Sequence, residues 1–449
     1  MQPTSRKILG SFALAMIAVT AIIDLRGLPM MASYGFGVIA VYGLAALLFL
    51  IPSSLVCAEL ATTIPEQGGM YIWVRQAFGD KMGFFSIWLE WLNNVIGFPA
   101  SLTFIAVTLT YLMDPALALH KGVILTLTLS ILWLVTGFTL LGIKASSRLN
   151  MLGALFGTII PAIIIVILGL AWVLIGKPLQ FQPGWSHLLP SWNESNPGFF
   201  AAIILGFGGM QIVAFHTVNV SNPKHSFPRA IFSAVSIIIT ICLFTALAIA
   251  SVVPAQELNL ISGLIDGFNR FFLAFHMAWA TPVLISLIIL SLFATLNAWF
   301  LGPARGLAVA AQNGFLPKAL GRSNKKDVPA AIIILQAVIC SILSVVFLLM
   351  PDISSAFWVL LNLSSQSALI VYILIFAAAL KLRSSSKRIG ITCAAAIGIL
   401  TCVIALLTSL IPPSLIHTGG LFHYEMILIL SNLVFLSIPF LIIYRSSRL

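Results

Sequence analysis

Two short stretches place glycine, proline and charged residues inside otherwise apolar sequence. The first holds Asp24, Arg26 and Pro29 within a long apolar run, and the second, residues 204–211, holds three glycines within four positions. Glycine favours an unwound backbone and proline removes a main-chain donor, so both stretches predict interrupted helices. The exposed carbonyls and amides of such interruptions can hold the charged groups of a zwitterion. The predicted binding residues are Ile23, Asp24, Leu25, Arg26, Gly27, Gly206, Phe207, Gly208, Gly209 and Gln211.

Asp24 and Arg26 lie two positions apart inside the first apolar run. A charge at the centre of a membrane helix costs about 2.5–3.5 kcal/mol on insertion scales, so both residues are functional candidates by default. In one interpretation they pair with each other and brace the unwound turn. In the other they serve a ligand, Asp24 by adding to ammonium binding and Arg26 by binding a side-chain acid. The sequence leaves both interpretations open.

Two further titratable residues are candidates for proton coupling. Glu90 lies in the third apolar run, where burial disfavours the charged carboxylate, and this suits a proton carrier. Glu90 can equally hydrogen-bond Asn94, which is one helical turn away. His216 follows the second interruption and titrates near neutrality, so it either responds to pH or bonds a neighbour. Two polar patches, Thr295 with Asn297 and residues 364–366, are predicted to bond between helices, with pocket lining as the alternative.

The sequence carries none of the motifs of enzymes or metalloproteins. It has no Walker loop for phosphate, no metal-ligand set and no nucleophile with a partner base. The five cysteines show neither a pairing pattern nor metal-ligand spacing, and they are predicted to pack inside helices. We therefore predict that the protein is not an enzyme and needs no metal and no cofactor.

Composition excludes a soluble globular protein. Hydrophobic residues make up 60% of the 449 residues and charged residues only 8%, with a mean hydropathy of +1.10, whereas soluble proteins contain about 25% charged residues. Short amphipathic helices are predicted at 65–79 and 259–275. Membrane spans are predicted at about 8–33, 37–62, 82–113, 121–142, 150–176, 197–220, 229–253, 277–312, 328–350, 353–379, 389–411 and 424–444.

The net charge of +11 raises the possibility of nucleic-acid binding, but its distribution indicates membrane topology instead. Nineteen of the 23 Lys and Arg residues fall in segments that would share one side of the membrane. Because basic residues are enriched on the cytoplasmic side, both termini are predicted to be cytoplasmic. No cleavage site follows the first span, so it is predicted to be retained. No nucleic-acid partner is expected.

The two interruptions fall in the first and sixth predicted spans. Corresponding breaks in two halves are typical of a five-plus-five inverted repeat. We therefore predict an all-helical integral membrane protein with one transporter domain over residues 1–449. Its repeats would cover about 8–176 and 197–379, and two extra helices would cover about 389–444.

The run Asp24-Leu-Arg-Gly-Leu-Pro29 and several later motifs resemble the glutamate/GABA antiporter family of the amino acid–polyamine–organocation superfamily. The later motifs are Ala58-Glu-Leu-Ala-Thr62, Gly68-Gly-Met-Tyr-Ile-Trp-Val74, Ser221-Asn-Pro223, Gly302-Pro-Ala-Arg-Gly306 and Leu316-Pro317. Their order and spacing cover roughly the whole chain. The resemblance implies the LeuT-type fold. The chain departs from the family pattern at Gln211, where a glutamate is expected, and at Met151, where the exchangers have a lysine.

The resemblance implies secondary active transport of amino acids across a bacterial inner membrane by alternating access. The reaction would be amino-acid antiport or proton-coupled uptake, and the sequence does not separate the two. The expected partners are an amino acid, membrane lipid and, in the coupled case, protons; the oligomeric state is not predicted. The alternatives are a major-facilitator transporter, which is disfavoured because the loop between spans two and three lacks that group's Asp- and Arg-rich pattern, and a receptor or scaffold that transports nothing.

Overall fold

Helices form all the regular elements that the described residues contain. The computed structural model describes residues 10–64, 66, 69–142, 149, 152–189, 199–212, 220, 223–259, 261–326, 328–345, 353–382, 389–413 and 420–446. We number the helices α1 Ser11–Ile22, α2 Leu28–Ala32, α3 Gly35–Thr63, α4 Met70–Phe78, α5 Asp80–Met113, α6 Lys121–Leu140, α7 Leu155–Leu174, α8 Phe200–Gly206, α9 Pro223–Val252, α10 Gly263–Ala274, α11 Ala280–Gln312, α12 Ala330–Ser344, α13 Ile353–Lys381, α14 Ile389–Thr408 and α15 Leu421–Ser446.

Nine of these helices are long and apolar enough to cross a membrane, counting only the described part of the chain. The predicted all-helical membrane class is therefore confirmed, and helices α4 and α10 confirm the two short amphipathic elements. The predicted start of the seventh span at about residue 229 is too late, because α9 already begins at Pro223. Proline suits the first position of a helix, where its missing N–H has no partner to lose. The count of twelve spans stays a prediction, since α8 and α12 adjoin residues outside the described set.

The first span is interrupted where it was predicted to be. Ile23 and Asp24 have extended backbones, with ψ angles of 105° and 108°, so the hydrogen bonding of α1 stops there. A 3₁₀ turn over Leu25–Gly27 follows, and the Asp24 carboxylate caps it by accepting a 3.0 Å bond from the Arg26 main-chain nitrogen. Helix α2 then starts, with Pro29 in its first turn. Asp24 therefore caps the turn of the break, and Pro29 belongs to the first turn of the helix that follows it.

The sixth predicted span is interrupted after Gly206, where α8 ends. Gly209 adopts a φ of +130°, a conformation that side chains with a Cβ rarely adopt. A Cβ there would also lie 3.0 Å from the Ala21 carbonyl oxygen of α1. Glycine is therefore required twice at position 209, for its backbone angle and for the close approach of the two broken spans.

Helix α5 lies at the centre of the bundle, and α15 lies at its edge. Most of the apolar length of α5 is buried, and it packs between α13 and α11. Little of α15 is buried, and it exposes large side chains such as Leu430, Leu433 and Phe440. An apolar surface of this extent is unfavourable in water and favourable against lipid. The exposed face of α15 thus agrees with a membrane environment.

A polar cluster attaches the last two helices to α13. The Asn362 side-chain amide donates to the Ser409 carbonyl at 2.7 Å and to the Tyr424 hydroxyl at 2.6 Å. One turn further along α13, Gln366 donates to the Ser409 hydroxyl at 2.6 Å and accepts from Asn432. Hydrogen bonds of this kind hold membrane helices together, because lipid supplies no hydrophobic drive between them.

The amphipathic helix α10 is fastened to the end of α5. The Tyr111 hydroxyl donates to the Asp266 carboxylate at 3.2 Å, and the Ser262 hydroxyl donates to the same carboxylate at 2.8 Å. Burial raises the pKa of Asp266, and the two hydrogen bonds act in the opposite direction. The contact positions α10 across the end of the central helix.

Close packing of the fifth predicted span on α11 generates a first prediction. A Cβ on Gly157 would lie 2.2 Å from the Ser291 Cβ and 2.3 Å from the Leu287 carbonyl oxygen, whereas one on Gly137 would meet no atom within 4 Å. We expect Gly157→Val to lower the free energy of unfolding by about 1–3 kcal/mol through overpacking. Gly137→Val is the matched control, and thermal unfolding in detergent is the measurement. Equal midpoints for the two variants would contradict the packing.

Candidate functional site

The two interruptions face each other across one cavity of about 220 Å³. A water molecule needs only about 10–15 Å³ of such space, so the cavity has room for a small organic solute. All ten predicted binding residues of the two breaks line it. Helices α5, α11 and α13 supply most of the remaining wall. The tertiary structure therefore brings together two stretches that lie about 180 residues apart in the sequence.

Asp24 and Arg26 are paired in the wall of this cavity. The Arg26 Nε lies 2.7 and 2.9 Å from the two carboxylate oxygens of Asp24, and its Nη2 lies 2.5 Å from Oδ2. The remaining terminal nitrogen, Nη1, donates to the Ser101 hydroxyl of α5. The side chains are 37% and 22% exposed for Asp24 and Arg26. Of the two interpretations left open by the sequence, the bracing pair is the arrangement that the structure contains.

Two helix C-termini converge on the cavity. Helix α1 ends at Ile22 and α8 ends at Gly206, and both residues are in the cavity wall. The last carbonyls of a helix lack partners within it and carry partial negative charge. A Cβ on Gly27 or on Gly206 would meet no atom within 4 Å, so the main chain is open at both positions. Such a site suits a cationic group such as an ammonium.

Helix α5 contributes a face that sequence reasoning missed. Asn93, Gly97 and Ser101 line the cavity, and their spacing of four places them on one side of the helix. Ser364 of α13 donates to the Asn93 side chain at 2.6 Å, and a Cβ on Gly97 would meet the same hydroxyl. The repeated four-residue spacing of small and polar residues was the available signal. Their partner across the interface was not visible in the sequence.

Some residues of the two predicted polar patches line the cavity, and others form hydrogen bonds between helices. Ser364 and Thr295 line the cavity. The Thr139 hydroxyl donates to Asn297 at 2.9 Å, and Gln366 belongs to the cluster with Ser409, so these amides bond between helices.

A chain of hydrogen bonds connects the break after α8 to Glu90. The Gly209 main-chain N–H donates to the Tyr372 hydroxyl at 2.7 Å, and this hydroxyl donates to the Gln211 side-chain oxygen at 2.5 Å. The Gln211 amide nitrogen in turn lies 3.4 Å from Glu90 Oε1. Glu90 lies behind the cavity wall, 3% exposed, and its second oxygen has no partner among the described residues. Asn94, the alternative partner that the sequence offered for Glu90, donates to the main-chain carbonyl of Glu90 at 2.8 Å.

His216, the other candidate for proton coupling, lies outside the described residues. Within the described part of the chain, no group of His, Cys, Asp and Glu side chains is arranged to hold a metal ion.

A solute-sized cavity between two interrupted helices of a membrane bundle is typical of membrane transporters. A family model described as amino acid permease matches residues 9–431. The chain belongs to this amino acid permease family, and its fold is the LeuT-type membrane fold that the resemblance implied. The major-facilitator alternative is thereby excluded.

Several relatives of the chain are named as transporters. An uncharacterized transporter of Legionella pneumophila is 41% identical over 451 aligned positions, which cover 97% of each chain. The glutamate/gamma-aminobutyrate antiporter of Lactococcus lactis strain IL1403 is 29% identical, over 89% of this chain and 83% of its own length. A probable agmatine/putrescine antiporter of that strain is 26% identical, over 75% and 71%. These names support amino acid transport and confirm that the protein is not an enzyme.

The hydrogen-bonded chain behind the cavity generates a second prediction. Tyr372→Phe removes the acceptor of the buried Gly209 N–H and the donor to Gln211. Because an unsatisfied buried polar group costs about 1–3 kcal/mol, we expect the free energy of unfolding to fall by that amount. Tyr111→Phe, which removes one hydrogen bond at a half-buried site, is the control and should cost less. The hypothesis fails if Tyr372→Phe is as stable in detergent as the unaltered protein.

Proposed function

We propose that the protein carries amino acids across the membrane by alternating access, with the substrate bound between the break after α1 and the break after α8. The observation that carries the proposal is the single cavity lined by all ten residues of the two breaks. The ammonium group of the substrate would lie at the carbonyl ends of α1 and α8. The open main chain at Gly27 and Gly206 gives the charged backbone of an amino acid room to approach.

Closure of the site on either side would use the two broken spans. In transporters with discontinuous helices, one bundle rocks against the other around a fixed central site, which opens that site alternately to each side. Gly209 approaches the Ala21 carbonyl so closely that no Cβ fits between them, so the two breaks are packed directly against each other. Substrate bound between them is then in contact with both moving elements.

Two kinds of reaction fit this site. The relatives named as antiporters support amino-acid exchange. Proton-coupled uptake is supported by Glu90, because an ionised carboxylate buried with one 3.4 Å hydrogen bond is poorly stabilised. Glu90 would be neutral in this conformation and would release its proton when another conformation admits water.

We also propose the membrane and the orientation. The concentration of Lys and Arg in alternate segments supports cytoplasmic termini. The bacterial relatives support a bacterial inner membrane as the location.

Transport assays in proteoliposomes test the proposal. Uptake of labelled amino acids is measured with and without unlabelled amino acid inside, and with and without an inward proton gradient. Uptake that needs internal substrate identifies an antiporter, and uptake driven by the gradient identifies proton coupling. A receptor or scaffold would give no uptake under any of these conditions, and that result would overturn the proposal.

The position of Gly206 generates a third prediction. A leucine side chain at this position would project into the cavity, since nothing lies within 4 Å of its Cβ. We expect Gly206→Leu to weaken amino-acid binding at least about tenfold, which corresponds to 1.4 kcal/mol, without a large change in thermal stability. Gly137→Leu, on the exposed side of α6, is the matched control. Unchanged affinity in Gly206→Leu would place the substrate elsewhere.

Glu90 generates a fourth prediction. Glu90→Gln keeps the size of the side chain and mimics its neutral form, so we expect substrate exchange to persist while stimulation by a proton gradient is lost. Glu257→Gln alters an exposed carboxylate that is paired with Arg270 on the surface, and it should leave the stimulation intact. Initial rates of uptake at several internal and external pH values give the comparison. A gradient response that survives in Glu90→Gln would remove Glu90 from the coupling mechanism.

A further inference from the structure

We infer that the transported amino acid has an uncharged side chain, because Asp24 and Arg26 neutralise each other and leave the cavity wall without an unpaired charge. The inference rests on the proposed function, because it concerns the substrate of the same cavity. It starts from the formal charges of the cavity wall. Among the described residues that line the cavity, only Asp24 and Arg26 carry a charge.

These two charges are directed at each other. Both oxygens of the Asp24 carboxylate accept hydrogen bonds from the Arg26 guanidinium, and Oδ1 also accepts from the Arg26 main-chain nitrogen. Nε and Nη2 form the bidentate edge of the guanidinium, and Asp24 occupies it. Ser101 accepts from Nη1. Neither residue is therefore available to a substrate as an unpaired charge.

The rest of the described wall is mostly apolar. Phe98, Ile203, Leu292, Trp299 and Phe357 contribute carbon surface, and the polar members are uncharged amides and hydroxyls. A charged substrate side chain entering this space would lose water without gaining an opposite charge, which is strongly unfavourable. An uncharged side chain loses little and gains contact with the apolar wall. The substrate's own ammonium and carboxylate stay at the interrupted main chain.

The pair also explains how the cavity excludes both signs of charge at once. To bind an acidic side chain, Arg26 would have to leave Asp24 and expose an unpaired carboxylate beside the substrate. To bind a basic side chain, Asp24 would have to leave Arg26, and the Arg26 guanidinium would then be unpaired beside the substrate. Removing one partner from such a pair leaves the other charge uncompensated, so binding of either an acidic or a basic side chain is unfavourable.

Single and double substitutions of the pair test the inference. In each variant, uptake of labelled leucine is competed with unlabelled leucine, glutamate and arginine. In the unaltered protein we expect glutamate and arginine to compete at least about tenfold less well than leucine. Arg26→Gln leaves Asp24 unpaired, so arginine should improve relative to leucine by about tenfold or more. Asp24→Asn leaves Arg26 unpaired, so glutamate should improve in the same way.

The double variant D24N/R26Q removes both charges and should return the preference to leucine. It buries no unpaired charge, so it is the folded reference for either single variant, and a single variant that keeps the leucine preference overturns the inference. Arg270→Gln breaks the exposed pair with Glu257 and is the matched control, with no expected change of preference. An unaltered protein that prefers glutamate or arginine overturns the inference and leaves the proposed function standing. Absence of uptake of every labelled amino acid in the proteoliposome assay overturns the proposed function itself.

Discussion

Main-chain amides and carbonyls must be satisfied at membrane depth, and this constraint governs the arrangement of the bundle. An interrupted helix in contact with lipid would expose several such groups to hydrocarbon, so interruptions are tolerated only inside protein or beside a wet cavity. The break at Ile23 and Asp24 and the break after Gly206 accordingly face each other at the centre. The surrounding helices then supply the wall that separates both breaks from lipid.

Side chains complete the hydrogen bonding that the interruptions remove. In the first break, Asp24 caps the 3₁₀ turn and pairs with Arg26. In the second break, the Tyr372 hydroxyl accepts a hydrogen bond from the Gly209 main-chain N–H. Both solutions involve groups that are also suited to function. The first neutralises the two charges of the cavity wall, and the second connects the cavity to the buried carboxyl of Glu90 through Gln211. The contacts that stabilise the two breaks are thus the same contacts on which the proposed selectivity depends.

Local sequence patterns left one helix boundary and one hydrogen bond undecided, and each has a physical reason. The predicted start of the seventh span at about residue 229 left out Pro223, although proline at the first position of a helix loses no hydrogen bond. The spacing of Glu90 and Asn94 on one helix left a hydrogen bond between them open, and the Asn94 amide makes it with the main-chain carbonyl of Glu90. Spacing along a helix predicts which groups lie close together, but it does not predict which of several nearby acceptors a donor will bond.

The sequence by itself determined the membrane class, the positions of the two interruptions and the identity of the ten residues around them. These follow from composition and from glycine, proline and charge inside apolar runs, which act on the local backbone. Only the tertiary structure decided that Arg26 is held by Asp24 and Ser101, that α5 and α13 close the cavity, and that Tyr372 and Gln211 connect Gly209 to Glu90. Contacts between distant helices depend on how their faces pack, and a single sequence does not encode that packing in any local pattern.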